Sequence, residues 1–233
     1  MSDLKAKNWC LIPAAGIGSR MAGDCPKQYL PLGDRTILER VLDIFIALDD
    51  VDGIVVAIAE NDPWWPQLKI NQDQVWSTTG GPERAHSVLN GLRYLIEVVR
   101  ADLNDWVMVH DAARPCINPD DVRTLMRNCR AHDCGGVVGS DLVDTIKRKG
   151  ASGRIAATES RELLWRAMTP QMFRIGSLMA AIQSALDHNI NITDESMAME
   201  LAGELPMMVE CGPNNIKITR EQDMVLASLL LGL

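Results

Sequence analysis

A chain of 233 residues, 47% hydrophobic and free of low-complexity segments, is long enough to bury a core as one folded domain spanning residues 1–233. Its formal net charge of −8 excludes wholesale nucleic-acid binding and means that any phosphorylated ligand must be met by cations gathered locally. No run approaches ~18 consecutive apolar residues, so nothing reads as a membrane span. At the N-terminus, Asp3 and Lys5 precede only a short apolar run. That is no signal-peptide pattern, and the expected place is the cytoplasm. Six cysteines (Cys10, Cys25, Cys116, Cys129, Cys134, Cys211) lack C-x-x-C spacing and read as reduced, mostly buried thiols.

The first strand, Asn8–Ile12, breaks at Pro13 and enters a small-residue loop with Gly16 and Gly18, followed by Arg20 and Lys27. Glycine lets the backbone approach a ligand closely, and exposed N–H groups in such a turn bind phosphate oxygens. An arginine and a lysine nearby can neutralise more than one phosphate group. The stretch reads as a nucleoside triphosphate site for transfer at phosphorus. A dinucleotide fingerprint would place a third glycine where Met21 stands, with an acidic residue ~20 positions on. The next strand-like run ends too far away, near Glu60. A P-loop would need Gly-Lys-Ser/Thr, which is absent. A lone G-x-G reads equally as a tight turn; the cations and the Pro26-Lys27-Gln28 triplet favour a ligand.

Strand and helix patterns then alternate. Thr36–Leu48 is a helix with Ile37, Leu38, Val41, Leu42, Phe45 and Leu48 on one face. Gly53–Ala59 is a continuous apolar strand, as in a sheet covered on both faces, and Val75–Thr78 is a short one. Glu83–Val99 is a helix carrying Val88, Leu89, Leu92, Leu95, Ile96 and Val99, and Trp106–Val109 is another buried strand. Asn118-Pro-Asp-Asp opens a helix reaching about Ala131, with an N-cap, a first-turn proline and acids. Gly136–Gly139 is a strand, and Thr219-Arg-Glu-Gln222 reads as a capping box for a last helix ending near Leu231. This order predicts a three-layer α/β domain with a mostly parallel, Rossmann-like sheet. The polar segment Ser140–Thr158 interrupts it and reads as a protruding hairpin, a subunit contact or a solvated loop.

Ligands in such sheets sit beyond the carboxyl ends of the strands. That places the Pro13 loop, the Thr79-Gly80-Gly81 turn and His110–Pro115 on one edge. Asp111 leaves a buried strand directly, so its carboxylate either holds Mg²⁺ beside a polyphosphate or caps a turn. Arg114 reads as a phosphate clamp or a surface ion pair. His110 reads as structural. Ser87 reaches a nucleotide hydroxyl or its own backbone. Thr193 sits as the N-cap of a helix starting at Asp194. Asn215–Ile218 reads as a short strand, on which Lys217 alone would be a solvated surface lysine. Cys129, His132 and Cys134 cluster, and a helix end with its following turn explains them better than zinc. No role for Trp64-Trp65 follows from the sequence.

The segments PAAGIGSRM, CPKQYL, GGPERAHSV, VHDAARP, DTIKR, MTPQ, ITDE and NIKIT, in that order from Cys10 to Asp223, resemble the 2-C-methyl-D-erythritol 4-phosphate cytidylyltransferase family. VHDAARP with a distant NIK-x-T is the most specific part. The resemblance implies a GT-A-like nucleotidyltransferase fold. It implies transfer from CTP to the polyol phosphate with release of pyrophosphate, a magnesium ion, and a homodimer exchanging arms at about residues 140–160. It assigns Arg20, Lys27 and Lys217 to the reacting phosphates. It assigns Pro13, Ala14, Ala15, Gly16, Gly18, Gly81 and Ser87 to CTP. Asp111, Arg114, Thr145, Arg161, Thr169 and Thr193 fall to the second substrate, Asp111 also to the metal, with Arg161 and Thr145 acting across the dimer. Two departures stand out: Ser19 where members often carry arginine, and Pro82 where aspartate is common. Proline offers no N–H to a base. The alternatives are a pentitol-phosphate (ribitol 5-phosphate) cytidylyltransferase, a nucleotide-binding module without catalysis, and, least supported, a nicotinamide oxidoreductase.

Overall fold

The structure is a computed structural model that describes residues 6–16, 25–70, 73–132 and 134–233. Gly18, Ser19, Arg20 and Met21 lie outside the described residues.

In chain order the strands and helices are β1 (Asn8–Pro13), β2 (Pro31–Leu32), β3 (Arg35–Thr36), α1 (Ile37–Ile46), β4 (Gly53–Ile58), β5 (Val75–Thr79), α2 (Arg84–Tyr94), β6 (Trp106–Val109), α3 (Pro119–Arg130), β7 (Gly136–Asp141), β8 (Ile146–Lys149), β9 (Ile155–Glu159), β10 (Trp165–Arg174), α4 (Ile175–Asp187), α5 (Glu195–Leu201), β11 (Met207–Glu210) and α6 (Glu221–Leu231). Seven strands form one sheet in the order β11-β7-β10-β6-β1-β4-β5. Every pairing in it is parallel except those of β10, which runs antiparallel to β6 and β7.

Side-chain alternation divides the core into two layers. Cys10, Ile12, Ile54, Val56 and Met108 pack with α1 and α3 on one face. Trp9, Leu11, Val55, Val107 and Val109 pack with α2, α4 and α5 on the other. A strand covered on both faces has no polar side to present, which is why these runs are apolar throughout. The three-layer α/β expectation holds.

The helix starts follow local chemistry. Thr36 and Glu39 form a reciprocal capping box on α1, and the stripe from Ile37 to Phe45 faces the core. Asn118 accepts from the Asp120 N–H, with Pro119 next, at the start of α3. The predicted helix Glu83–Val99 is α2 followed by one π-helical turn, Leu95–Val99, which ends at Arg100 in the left-handed region.

Several expectations need correction. The last helix is not capped by Thr219 and Gln222. Asp223 Oδ2 instead accepts from the Thr219 N–H, the Thr219 hydroxyl and the Arg220 N–H, so the N-cap is Arg220 and α6 starts one residue later, at Glu221. Asp194, not Thr193, caps α5, accepting from the Met197 N–H, and Thr193 is exposed. Asn215–Ile218 is not a strand. Pro13 belongs to β1 and pairs in register with Ala57. The protruding hairpin exists as β8 and β9, which pair antiparallel from Ile146↔Glu159 to Lys149↔Ile155. All six cysteines are free thiols, and four of them are buried. No group of described residues that includes Cys129, His132 and Cys134 is arranged to hold a metal.

Candidate active site

The three loops expected on one edge of the sheet line a single cleft of about 290 Å³. Pro13–Gly16 forms one wall, Gly81–Arg84 and Ser87 another, and Asp111–Ala113 with Lys217 and Lys27 close it.

The wall formed by the glycine turn is shaped by close approach. A Cβ on Gly80 would stand 2.5 Å from the Ala15 Cβ and 2.8 Å from the Ser87 Oγ. A Cβ on Gly81 would stand 2.4 Å from the His86 Cβ. Both glycines are therefore required sterically, where a plain turn would need one. The Gly81 N–H donates to Ser87 Oγ at 3.0 Å, so this serine holds the turn as well as facing the cleft. Gln28, buried, donates from Nε2 to the carbonyls of Ala14 (2.6 Å) and Gly16 (3.2 Å). These bonds tie the 3₁₀ turn Lys27–Tyr29 to the loop after β1.

Asp111 is the electrostatic centre. Its Oδ2 meets Lys217 Nζ at 3.0 Å and Arg114 Nε at 3.2 Å, and its Oδ1 meets Arg84 Nε at 3.3 Å. Burial would raise this carboxyl, but Arg84, Lys217 and Arg114 outweigh it and hold it well below the usual carboxylate range. It stays ionised, and it keeps the cations from repelling one another. Arg114 also donates to the Asn215 carbonyl (2.8 Å), and Lys27 Nζ donates to the Ile218 carbonyl (3.1 Å). The segment Asn215–Ile218 is thus a strap rather than a strand. It is pinned by the Ile218 N–H to Ala113 O and by Asn215 Nδ2 to Thr169 O, and it delivers Lys217 beside Asp111.

His110 is fully buried, with Nδ1 on the Thr169 hydroxyl (3.2 Å) and Nε2 on the Arg114 carbonyl (3.1 Å). Burial pushes its pKa down to about 4, so it is a neutral structural residue at pH 7.

Arg84 is the residue the sequence did not flag. It lines the cleft and reaches Glu195 with both terminal nitrogens, Nη2–Oε2 being 3.0 Å. Glu195, from the ITDE segment, is only 2% exposed. The pair ties the start of α2 to the start of α5 across 111 residues of sequence. An arginine in the first turn of a helix carries no local sign of such a partner.

The other proposed positions do not all meet here. Thr169 is buried behind Asp111, and its hydroxyl accepts from the Asp111 N–H at 2.9 Å. Thr193 is exposed near the start of α5. Thr145 and Arg161 are exposed at the base of the β8–β9 arm, and neither lines this cleft.

A divalent cation entering the cleft would meet the carboxylate of Asp111, whose oxygens already face Arg84, Arg114 and Lys217. Mg²⁺ is usually held by one or two carboxylates plus substrate phosphates and waters. Asp111 is a cleft carboxylate of that kind, and no larger cluster of metal-binding side chains exists among the described residues.

Among those residues, no helix is long and apolar enough to cross a membrane. Comparison with known proteins agrees with the geometry. The chain is 48% identical over 217 residues to the 2-C-methyl-D-erythritol 4-phosphate cytidylyltransferase of Pseudomonas entomophila, covering 93% of this chain and 92% of that one. It is 47% identical over 225 residues to the enzyme of the same name from Pseudomonas aeruginosa, covering 96% and 95%. Among solved structures, the Francisella tularensis 2-C-methyl-D-erythritol 4-phosphate cytidylyltransferase superposes with a TM-score of 0.84 at 35% identity, covering 97% of this chain and all of that one. A crystal structure of 4-diphosphocytidyl-2C-methyl-D-erythritol synthase gives 0.85 at 36% identity, with the same coverage. The sequence profile of IspD, 2-C-methyl-D-erythritol 4-phosphate cytidylyltransferase, matches residues 9–232, and the chain belongs to that family.

Proposed function

We propose that this cleft joins CTP to the phosphate of 2-C-methyl-D-erythritol 4-phosphate, giving 4-diphosphocytidyl-2-C-methyl-D-erythritol and pyrophosphate in isoprenoid precursor synthesis. The observation that carries the reading is the meeting of the glycine-rich cradle and the Asp111 cation cluster in one cleft.

The substrate's own phosphate is the nucleophile. Its oxygen attacks the α-phosphorus of CTP, a P–O bond forms, and the bond to the β-phosphate breaks to release pyrophosphate. A phosphate is already ionised at neutral pH, so no general base is required, in keeping with a neutral, fully bonded His110. What remains is alignment and relief of charge. Pro13, Ala14, Ala15, Gly16, Gly18, Gly81 and Ser87 hold the nucleotide. Pro82 leaves base recognition to carbonyls and its neighbours. Lys27 and Arg20 meet the departing pyrophosphate, and Lys217 meets the α-phosphate. Asp111 would hold Mg²⁺ together with the nucleotide phosphates, and the ion would supply further relief of charge at phosphorus. Arg114, Thr169 and Thr193 serve the second substrate, and Thr145 and Arg161 reach it from the partner of a cytoplasmic homodimer.

The test is pyrophosphate release from CTP and Mg²⁺, with methylerythritol phosphate and ribitol 5-phosphate assayed side by side. Release with methylerythritol phosphate alone is expected. Release with the pentitol phosphate alone would keep the chemistry and overturn the substrate.

A further inference from the structure

The tryptophan pair without a role in the sequence lies directly behind the catalytic turn. Lys27 opens the 3₁₀ turn Lys27–Tyr29. The front of that turn is tied to the nucleotide loop through Gln28. Its back is Tyr29, buried, with its ring stacked on Trp64 at a centroid separation of 5.9 Å and an interplanar angle of 21°. The Tyr29 hydroxyl donates to Asp62 Oδ2 at 2.8 Å. Burial, and then Asp62, push the Tyr29 pKa up, so the hydroxyl remains a donor at every working pH. Asp62 is itself held, because its Oδ1 accepts from the N–H groups of Trp64 (2.9 Å) and Trp65 (3.2 Å). Pro63 and Pro66 flank the pair and restrict its backbone. Both tryptophans pack against the core layer that contains Ile12 and Ile54.

We propose that Asp62, Tyr29 and Trp64 form a brace that positions Lys27 for the departing pyrophosphate. The proposal rests on the assignment of Lys27 to the reacting phosphates. A lysine ammonium sits on a flexible four-carbon stem, so its placement depends on how firmly its backbone is held. Gln28 fixes one side of the turn, where the Lys27 ammonium also donates to the Ile218 carbonyl, and the brace fixes the other. A second cavity of about 280 Å³, lined by Tyr29, Arg35, Glu39 and Trp64 among others, lies beside the stack. Removing the indole would leave the Tyr29 ring facing open space rather than another side chain.

The experiment measures kcat, KM for CTP and thermal midpoint for Trp64→Ala, Trp64→Phe, Tyr29→Phe and Lys27→Ala, and for Trp64→Ala combined with Lys27→Ala. Misplacement of a catalytic group by ~1 Å costs up to about a hundredfold. Trp64→Ala is expected to lower kcat by about tenfold to a hundredfold, with KM for CTP within about twofold. Trp64→Phe should restore most of that loss, because a ring still covers Tyr29. In the Lys27→Ala background the same truncation should cost less than about twofold, since the group being positioned is gone. Should Trp64→Ala not fold, Tyr29→Phe carries the test: it keeps the stack, loses only the Asp62 bond, and should lower kcat about threefold or more while the thermal midpoint barely moves. Wild-type kcat in these brace variants, or an equal loss with and without Lys27, overturns the brace. Wild-type turnover in Lys27→Ala overturns the Lys27 assignment itself, and the two failures are told apart by that single variant.

Discussion

Three cations share one carboxylate at Asp111, and with Glu195 counted the cluster still keeps a net positive charge. Arg84, Arg114 and Lys217 would repel one another without Asp111. Glu195 accepts from both terminal nitrogens of Arg84. Removing one partner of a buried pair usually costs about 3–5 kcal/mol, because the other charge is left uncompensated. Arg84 retains 29% exposure and keeps Asp111, so we expect Glu195→Ala to cost less, about 2 kcal/mol. It should also raise KM for CTP, because Arg84 lines the cleft. Denaturant unfolding and steady-state kinetics check both, and Arg84→Ala combined with Glu195→Ala should be less than additive. His110 makes a pH prediction at the same scale. Its folded pKa of about 4 lies below the ordinary 6.5, so the unfolded chain binds the extra proton first. The stability from the neutral ring is full above pH 6.5 and is lost as pH falls from there towards 4, by up to about 3 kcal/mol. Between pH 6.5 and 5, above the titration of most carboxylates, thermal midpoints of the wild type should fall and those of His110→Gln should stay nearly flat.

Elements differ in how plainly the sequence announces them, and the reason is burial. β1, β4 and β6 are covered on both faces and read as unbroken apolar runs, and α1 shows its core stripe and its capping box in full. β10 does not read as a strand. Its first residues are exposed beside the arm, its register shifts between Ala167 and Gln171, and it carries a proline in mid-run, which normally demotes a strand. α4 has an apolar stripe from Ile175 to Ala185, but Arg174 at its N-cap makes no side-chain capping bond, so no start signal precedes it. Asn215–Ile218 shows the opposite error. Its alternation is real, yet Ile218 binds the Ala113 carbonyl and the segment joins no sheet. The cleft follows the same logic. Lys27 and Asp111 stand in a marked motif and at a strand end and were legible, whereas Lys217 by itself read as a surface lysine and was picked out only by the resemblance. Arg84 and Glu195 matter through a contact across 111 residues, which no local pattern encodes.

At the scale of the whole molecule, the arm is the feature one chain does not explain. β8 and β9 pair only with each other, and nearly all of their residues are exposed. Val143, Ile155 and Leu163 expose apolar side chains there, at 78%, 68% and 91%. Thr145 and Arg161, assigned to the second substrate, lie at the base of this arm and away from the cleft of their own chain. Both facts fit an arm that packs on a second copy and completes its site. The consequence is a complementation test. Lys27→Ala and Arg161→Ala subunits are each expected to form nearly inactive homodimers. In a mixed dimer with shared sites, one site combines both defects and the other combines the intact Lys27 with the partner's intact Arg161. Co-folding the two variants in equal amounts gives about half mixed dimers, each with one working site, so activity should recover to about a quarter of wild type. If each site draws Lys27 and Arg161 from the same chain, every site carries one defect and the mixture stays as inactive as its parents. Size-exclusion chromatography of the mixture reads the oligomeric state in the same experiment, and a monomer at assay concentration would remove the arm from the active site altogether.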